Sequence, residues 1–378
     1  MISLTSPHVS EKSRSYVVEA LESHHQQGDG HFCHKASAAL TKLLNEQNLV
    51  LTPSCTSSLE MASLLLDLKP GDEVLMPSFN FTSAAIAVAK FGAIPVFLDI
   101  EPETLCLETS GIEKAITNKT KAISWVNYAG FTPNLSFLRE VSESKKLALI
   151  EDNAHCLGTK FKGELLGKTG DFVAYSFHAT KNIQCGEGGA LTMKSAEMYS
   201  RAQKIREKGT NRNEFLSGLV DKYSWVDLGS SYLLSEVQAA LLLGNIEDFN
   251  SIQAKRLELY EKYCENFRSF ADSFAIDGSF ESPEPGFSAH LFFFLVPSER
   301  MRDELIHFLR NKGFVATFHY QALHESKAAA KYGKKVGNLK MSDEVSKRII
   351  RLPLHTKMTL TDVDKISEAV NAFFMIHN

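Results

Sequence analysis

The sequence predicts an α/β protein in which a mostly parallel, seven-stranded sheet with helices on both faces is followed by a small C-terminal α+β unit. Three observations lead there. Seven short β-prone runs between Val50 and Met193 alternate with helical patterns, the order that builds a parallel sheet covered on both sides. A long helical pattern over residues 235–265 leads away from that region. A chain of 378 residues also exceeds what one hydrophobic core usually fills. We therefore divide the chain into a large domain, residues 1–245, and a small one, residues 246–378.

Taken in order, residues 1–48 read as helix and loop. The cluster His24, His25, His31, Cys33 and His34 offers imidazole and thiolate groups that suit zinc, but it lacks a familiar ligand spacing and encloses the turn Gly28-Asp29-Gly30, so no metal site is expected. The strand candidates follow at Val50–Thr52, Val74–Met76, Pro95–Leu98, Ala122–Val126, Leu147–Ile150, Phe172–Tyr175 and Ala190–Met193. Helical patterns at Leu59–Leu68, Thr82–Lys90, Leu135–Glu143 and Ala196–Lys208 lie between them. In such sheets ligands gather beyond the carboxyl ends of the strands. Thr52 to Thr56, Ser78, Asp152 and Ser176 all fall at such ends. After the long helical pattern come a strand at Leu291–Val296, a helix at Glu299–Lys312, a strand at Phe314–Tyr320 and a last helix opened by Thr361-x-x-Asp364, which has the form of a capping box.

Composition narrows the function classes. A net charge of -4 with no basic block argues against a partner whose phosphates must be neutralised, so no nucleic acid is expected. Apolar runs are far too short to span a bilayer, and the charges at Glu11, Lys12, Arg14 and Glu19 leave no room for a signal peptide's apolar core, so no membrane is expected. Six scattered cysteines without C-x-x-C spacing fit free thiols in a reducing compartment, and we expect a cytoplasmic protein. No P-loop, H-E-x-x-H or G-x-S-x-G pattern is present.

The chemistry centres on Lys181. It follows the apolar run Phe172–Tyr175 and precedes the turn Gly186-Glu187-Gly188-Gly189. A lysine withdrawn from water loses solvation, its pKa falls, and the free amine becomes a Schiff-base nucleophile; a solvated surface lysine is the plain alternative. Thr56-Ser57-Ser58-Leu59-Glu60 opens an apolar helix, so its hydroxyls and free N–H groups suit a phosphate, or Ser57 and Glu60 form an ordinary capping box. Asp152 ends an apolar strand, where a buried carboxylate calls for a cationic or hydrogen-bonding partner. His155 lies within reach of the same ligand, and Phe81, at another strand end, suits stacking on a planar ring. A phosphate cradle, a stacking aromatic, an acid for a ring nitrogen and a lysine for a carbonyl are the needs of pyridoxal 5'-phosphate.

These residues sit in stretches that closely resemble the DegT/DnrJ/EryC-type sugar aminotransferases, which share the type I, aspartate-aminotransferase-like fold. The stretches are Thr52-Pro53-Ser54-Cys55-Thr56-Ser57-Ser58-Leu59-Glu60-Met61, Pro70-Gly71-Asp72-Glu73-Val74, Glu151-Asp152-Asn153-Ala154-His155 and Ser176-Phe177-His178-Ala179-Thr180-Lys181-Asn182. The resemblance implies that Lys181 holds pyridoxal 5'-phosphate and shuttles protons, and that Asp152 keeps the pyridine nitrogen protonated. It further implies that Phe81 stacks on the ring, His155 lies near the ring hydroxyl, and Thr56, Ser57 and Ser176 bind the phosphate. Relatives with histidine in place of the lysine are dehydratases, so Lys181 favours transamination.

Within the family, residues 206–212, 221–225 and 228–233, with Phe318-His319-Tyr320 and Arg351-Leu352-Pro353-Leu354, are most similar to members that aminate a dTDP-linked 4-ketosugar with L-glutamate. Lys222, Tyr223, His319 and Tyr320 are the substrate contacts this suggests. The resemblance also implies a homodimer with shared active sites. Leu233 stands where many members carry an Asn that reaches the partner's phosphate, so that contact falls to another residue, such as Ser231. A 3-aminotransferase, a UDP-linked substrate and either C4 epimer of the product stay open. So does a non-catalytic, cofactor-binding regulator, against which the intact pair of Lys181 and Asp152 speaks.

Overall fold

All seven expected runs form strands, each ending in the turn or helix start that the sequence marks. In the computed structural model, which describes residues 1–377, they are β1 (Leu49–Thr52), β2 (Glu73–Pro77), β3 (Ile94–Leu98), β4 (Thr120–Val126), β5 (Ala148–Asp152), β8 (Phe172–Ser176) and β9 (Gly189–Met193). Between β5 and β8 a small hairpin pairs β6 (Lys160–Phe161) with β7 (Glu164–Leu165). The C-terminal part adds β10 (Phe292–Leu295), β11 (Lys334–Lys335) and β12 (Ile349–Leu352). The main sheet has the order β1-β9-β8-β5-β4-β2-β3-β11, and only β9 runs against its neighbours, antiparallel to both β1 and β8.

Strand residues alternate between two helical layers. Val50 joins a core with the helices Cys55–Leu65, Thr82–Ala89 and Ala196–Arg206, while Leu49 and Leu51 face the helices His31–Leu44 and Glu236–Glu247 on the other side. The eighth strand, β11, is parallel to β3 at the sheet edge and went unforeseen because two exposed lysines carry no β pattern. The Lys334 ammonium is anchored there by the buried Glu73 carboxylate at 2.6 Å.

The pattern over 235–265 is two helices, Glu236–Glu247 and Phe249–Arg268, meeting at Asp248. The second packs into a separate core with Phe292, Phe294, Leu305, Ile350, Val370 and Phe373, over the antiparallel pair of β10 and β12. The expected strand at Phe314–Tyr320 does not form. β10 and β12 already pair with each other, and the segment makes only single bridges, Phe314 with Ile2 and Thr317 with Arg351. The last helix starts earlier than expected: Thr359 and Asp362 exchange the capping bonds, not Thr361 and Asp364. No helix among the described residues is long and apolar enough to cross a membrane, and all six cysteines are unpaired.

Candidate active site

The central strands bring two adjacent carboxylates to their carboxyl ends, and strand alternation sends them to opposite faces. Glu151, fully buried, accepts N–H bonds from the Asn127 side chain and from the backbone of Gly167, Thr169 and Gly170 at 2.7–3.2 Å. Its charge is fully compensated. Asp152, 5% exposed, turns into a cavity of about 470 Å³ and receives only the Ala154 N–H at 3.1 Å and a long contact from the Cys55 thiol at 3.9 Å. Burial holds its pKa above the ordinary carboxylate value against the pull of the Ala154 N–H and the Lys181 charge. A cation placed against Asp152 would therefore be strongly favoured.

Lys181 reaches the same cavity from the connection between β8 and β9. Backbone bonds from Phe177 to Gly188, Ala179 to Gly186 and Lys181 to His178, each 2.8 Å, fold this connection tightly. Its side chain opens onto the cavity, yet protein on all other sides pushes its pKa down to about 8, with Asp152 the main opposing influence. The glycines have a packing reason. A Cβ on Gly189 would lie 2.5–2.6 Å from the backbone of Ser54 and Cys55, so only glycine lets β9 begin against the start of the helix Cys55–Leu65.

That helix start forms the polar end of the cavity. Ser54 is its N-cap, taking the Ser57 N–H on its hydroxyl and the Ser58 N–H on its carbonyl at 3.1 Å each. The expected Ser57–Glu60 box is thereby corrected: the extended residue is Ser54, and Glu60 is engaged by Lys90 and Tyr232 at 2.9 and 2.8 Å. Cys55 and Thr56, first residues of the helix and so without intrahelical acceptors for their N–H groups, line the cavity together with the hydroxyl-bearing Ser83, Ser176 and Thr180.

The opposing wall comes from the C-terminal part. Leu323 N–H and His324 N–H bond to Ser78, whose hydroxyl also meets His324 Nδ1 at 2.6 Å; this ties residues 322–324 to the end of β2 and holds Tyr320 over the cavity. Tyr320 meets the Phe81 ring at 5.8 Å between centroids, and its hydroxyl lies 3.4 Å from His155 Nε2. His155 Nδ1 accepts the Ala129 N–H at 3.2 Å, which fixes a neutral ring carrying its proton on Nε2. Burial keeps it neutral by holding its pKa well below the usual histidine value. The His290 ring lies 4.4 Å from it, tilted by 30°, and is oriented by Asn182 at 2.8 Å. Phe81 is 54% exposed, its ring open for a planar partner.

Eight of the residues singled out in the sequence thus line one cavity: Thr56, Phe81, Asp152, His155, Ser176, Lys181, His319 and Tyr320. Ser57 is not in the lining, since Ser54 engages both its N–H and its hydroxyl. Lys222 and Tyr223 lie on an exposed segment outside this cavity. His25 and Cys33 bond instead to the carbonyls of Gly28 and Leu234, and no metal-type grouping forms in the 24–34 cluster among the described residues. Sequence reasoning missed Ser83, the capping role of Ser54, His290 and the role of Arg351. The signal for the last two was available, a lone charged or imidazole side chain inside the apolar runs Ala289–Val296 and Ile349–Leu352.

The model of the DegT/DnrJ/EryC1/StrS aminotransferase family matches residues 7–371. The chain is 31% identical over 336 residues to a UDP-4-amino-4-deoxy-L-arabinose–oxoglutarate aminotransferase of Shewanella sediminis, covering 86% of each chain. Its fold is similar to that of Spr1654 of Streptococcus pneumoniae, assigned as a sugar aminotransferase and solved in a PMP form, with a TM-score of 0.91, 27% identity and complete coverage of both chains. The same protein in its PLP form gives a TM-score of 0.90. The aminotransferase TlmJ of Streptoalloteichus hindustanus gives 0.90 at 26% identity, with 100% of this chain and 99% of that chain covered. The residues present fit pyridoxal phosphate. Helix-start N–H groups and hydroxyls suit its phosphate, Asp152 its ring nitrogen, the open face of Phe81 its ring, and Lys181 its aldehyde.

Proposed function

The chain belongs to the DegT/DnrJ/EryC1/StrS aminotransferase family and is a pyridoxal-phosphate-dependent aminotransferase, and on that premise we propose that it moves the amino group of L-glutamate to the C4 ketone of dTDP-4-keto-6-deoxy-D-glucose. The products are 2-oxoglutarate and dTDP-4-amino-4,6-dideoxy-D-galactose. The observation that carries this reading is one cavity holding Lys181 and Asp152 on the sheet side and His319, Tyr320 and Arg351 on the other, with the last three in the stretches that resemble C4-aminating members.

When bound, the cofactor would supply an electron sink for the reacting carbon. Asp152 would hold its positive ring nitrogen, on which that sink depends. The depressed pKa of Lys181 makes its amine a base near neutral pH: it takes the α-proton of the donor and, in the second half of the reaction, delivers a proton to C4 of the sugar. His155, neutral with its proton on Nε2, donates it toward the Tyr320 hydroxyl on the cavity lining and adds no competing charge. Phe81 and Tyr320 place aromatic surface on the cavity lining.

The reading includes a homodimer with shared sites. Its support is the largely exposed segment 215–231, where Leu219, Trp225 and Leu228 are 75%, 76% and 65% exposed, more apolar surface than a solvated loop needs. Lys222 and Tyr223 belong to that segment and would act in the partner's cavity. The division at residue 245 is part of the same reading, supported by the separate C-terminal core. A second acceptor, a UDP-linked 4-ketosugar, is favoured by the name of the Shewanella relative. Turnover across dTDP- and UDP-linked 3- and 4-ketosugars, with product NMR, tests the proposal. We expect the dTDP 4-ketosugar to give the galacto amine fastest; a preference for a UDP or 3-keto substrate overturns it.

A further inference from the structure

Outside the cavity, His324 turns a buried nitrogen toward two carboxylates without bonding either. Its side chain is 2% exposed, and Nε2 has no hydrogen-bond partner. Glu325 and Asp343 nevertheless place oxygens 3.1 and 3.2 Å from that nitrogen, and the three atoms lie within 4.8 Å of one another. Both oxygens stand off the line along which a ring N–H points, so a proton on Nε2 bonds neither. Among the described residues neither carboxylate pairs with a lysine or an arginine. The other ring nitrogen is engaged: Nδ1 meets the Ser78 hydroxyl at 2.6 Å. That oxygen accepts the His324 backbone N–H at 3.2 Å and has a second lone pair for an Nδ1–H. With the proton on Nδ1, Nε2 presents a lone pair, and a lone pair beside two carboxylates is repelled unless a cation sits among them.

We propose that His324, Glu325 and Asp343 form a binding site for one divalent transition-metal cation, with Zn²⁺ the ion that best suits an imidazole and two carboxylates. Zinc takes nitrogen and carboxylate oxygen at about 2.0–2.2 Å, so neighbouring ligands around it lie about 2.9–3.5 Å apart. The separations of 3.1 and 3.2 Å fall in that range. Oxygens beside the Nε2 axis, rather than on it, are placed as fellow ligands of an ion on that axis. An imidazole that gives its other N–H to a hydroxyl is held in the metal-binding tautomer. Mg²⁺ and Ca²⁺ call instead for oxygen ligands throughout. The carboxylate side chains are 56% and 34% exposed, so the ion has an entry path and water can complete its coordination. The frame stands without the ion. Ser78, at the end of β2, fixes His324, while the helix Lys340–Arg348, which carries Asp343, is docked by the Met341 and Ser342 N–H groups on Asp99 at 2.9 and 2.7 Å. An ion shared by the two would clamp the segment that brings His319 and Tyr320 to the cavity.

The test uses purified holoenzyme, dialysed against a chelator and then titrated calorimetrically with Zn²⁺, Mg²⁺ or Ca²⁺. The double variant Glu325→Gln, Asp343→Asn is run beside wild type; it keeps the shape of both side chains and removes their charge. Wild type should bind one equivalent of Zn²⁺ that the variant binds at least about 100-fold more weakly, the upper end of what losing even a residue behind the ligands costs. Zinc held by other histidines or cysteines is common to both proteins and cancels in this comparison. Saturating Zn²⁺ should raise the melting temperature of wild type and leave that of the variant in place, because only an ion bound to the folded site stabilises it. A third readout needs no variant: anomalous scattering from wild-type crystals soaked in Zn²⁺ should place the ion about 2.0–2.2 Å from His324 Nε2 and from one oxygen of each carboxylate. Equal zinc binding by the two proteins would mean that the carboxylates answer a protonated imidazole and would overturn the proposal. So would zinc density only at other residues, or tighter binding of Mg²⁺ or Ca²⁺ than of Zn²⁺.

Discussion

The two walls of the cavity hold charge away from water in opposite ways. On the sheet wall Asp152 and Lys181 feel each other's charge across the cavity, while Glu151, on the opposite face of β5, is wrapped in N–H donors. On the wall built from residues 319–320 and 351 a guanidinium is left with a neutral imidazole and two phenols. The difference is one of compensation: opposite charges face each other on the sheet wall, while on the other wall burial disfavours a charge that no carboxylate among the described residues offsets.

The contrast can be broken first at its strongest point. Lys181→Ala should lower amino transfer by more than about 1,000-fold, because both the covalent anchor and the proton carrier are lost. Circular dichroism should show the fold intact. Asp152→Asn, which keeps the shape and removes the charge, should cost about 100- to 1,000-fold in kcat, in the range of removing one preorganised electrostatic group. Its sequence neighbour should behave differently. Glu151→Gln should lower stability by about 2 kcal/mol through weakened hydrogen bonds to buried N–H groups, measured by urea unfolding, with activity per folded molecule nearly unchanged. Equal behaviour of the two variants would remove the distinction between the faces of β5.

Smaller effects sharpen the picture. Phe81→Ala should weaken retention of the cofactor by about 10-fold, the order of one aromatic contact, measured by dialysis and absorbance. The pH dependence of cofactor capture follows from Lys181. Its pKa is depressed from 10.5 to about 8, so the reactive neutral amine gains population as pH rises through about 8 and saturates above it. Apoenzyme mixed with pyridoxal phosphate between pH 6 and 10 should show a capture rate with its midpoint near 8. A midpoint at the value of an ordinary lysine would mean that the amine is solvated.

Most of the sheet wall was legible in the sequence, because burying a carboxylate or an amine at the end of an apolar strand has few purposes. Asp152 and Lys181 announce themselves by that mismatch. The neighbouring detail was not legible: Ser54 and Ser57 both precede an apolar helix, Ser57 has the better-spaced acid in Glu60, and only the extended backbone of Ser54 decides which one caps. β11 escaped because its lysines are held by Glu73, a tertiary contact with no local trace. Phe314–Tyr320 has a strand's composition, but its possible partners were already paired. Arg351 carries the same mismatch signal as Asp152, a charge inside Ile349–Leu352. That its neighbours are a neutral imidazole and two phenols, with no carboxylate among the described residues, is visible only in three dimensions.

The central claim is that the amine of Lys181 carries the cofactor. Borohydride reduction of the holoenzyme followed by peptide mapping by mass spectrometry tests it most directly. The account predicts the added pyridoxyl phosphate mass on the peptide containing Lys181 and none after prior conversion with L-glutamate. Label on any other lysine, or no label on protein that shows the visible band, would contradict it.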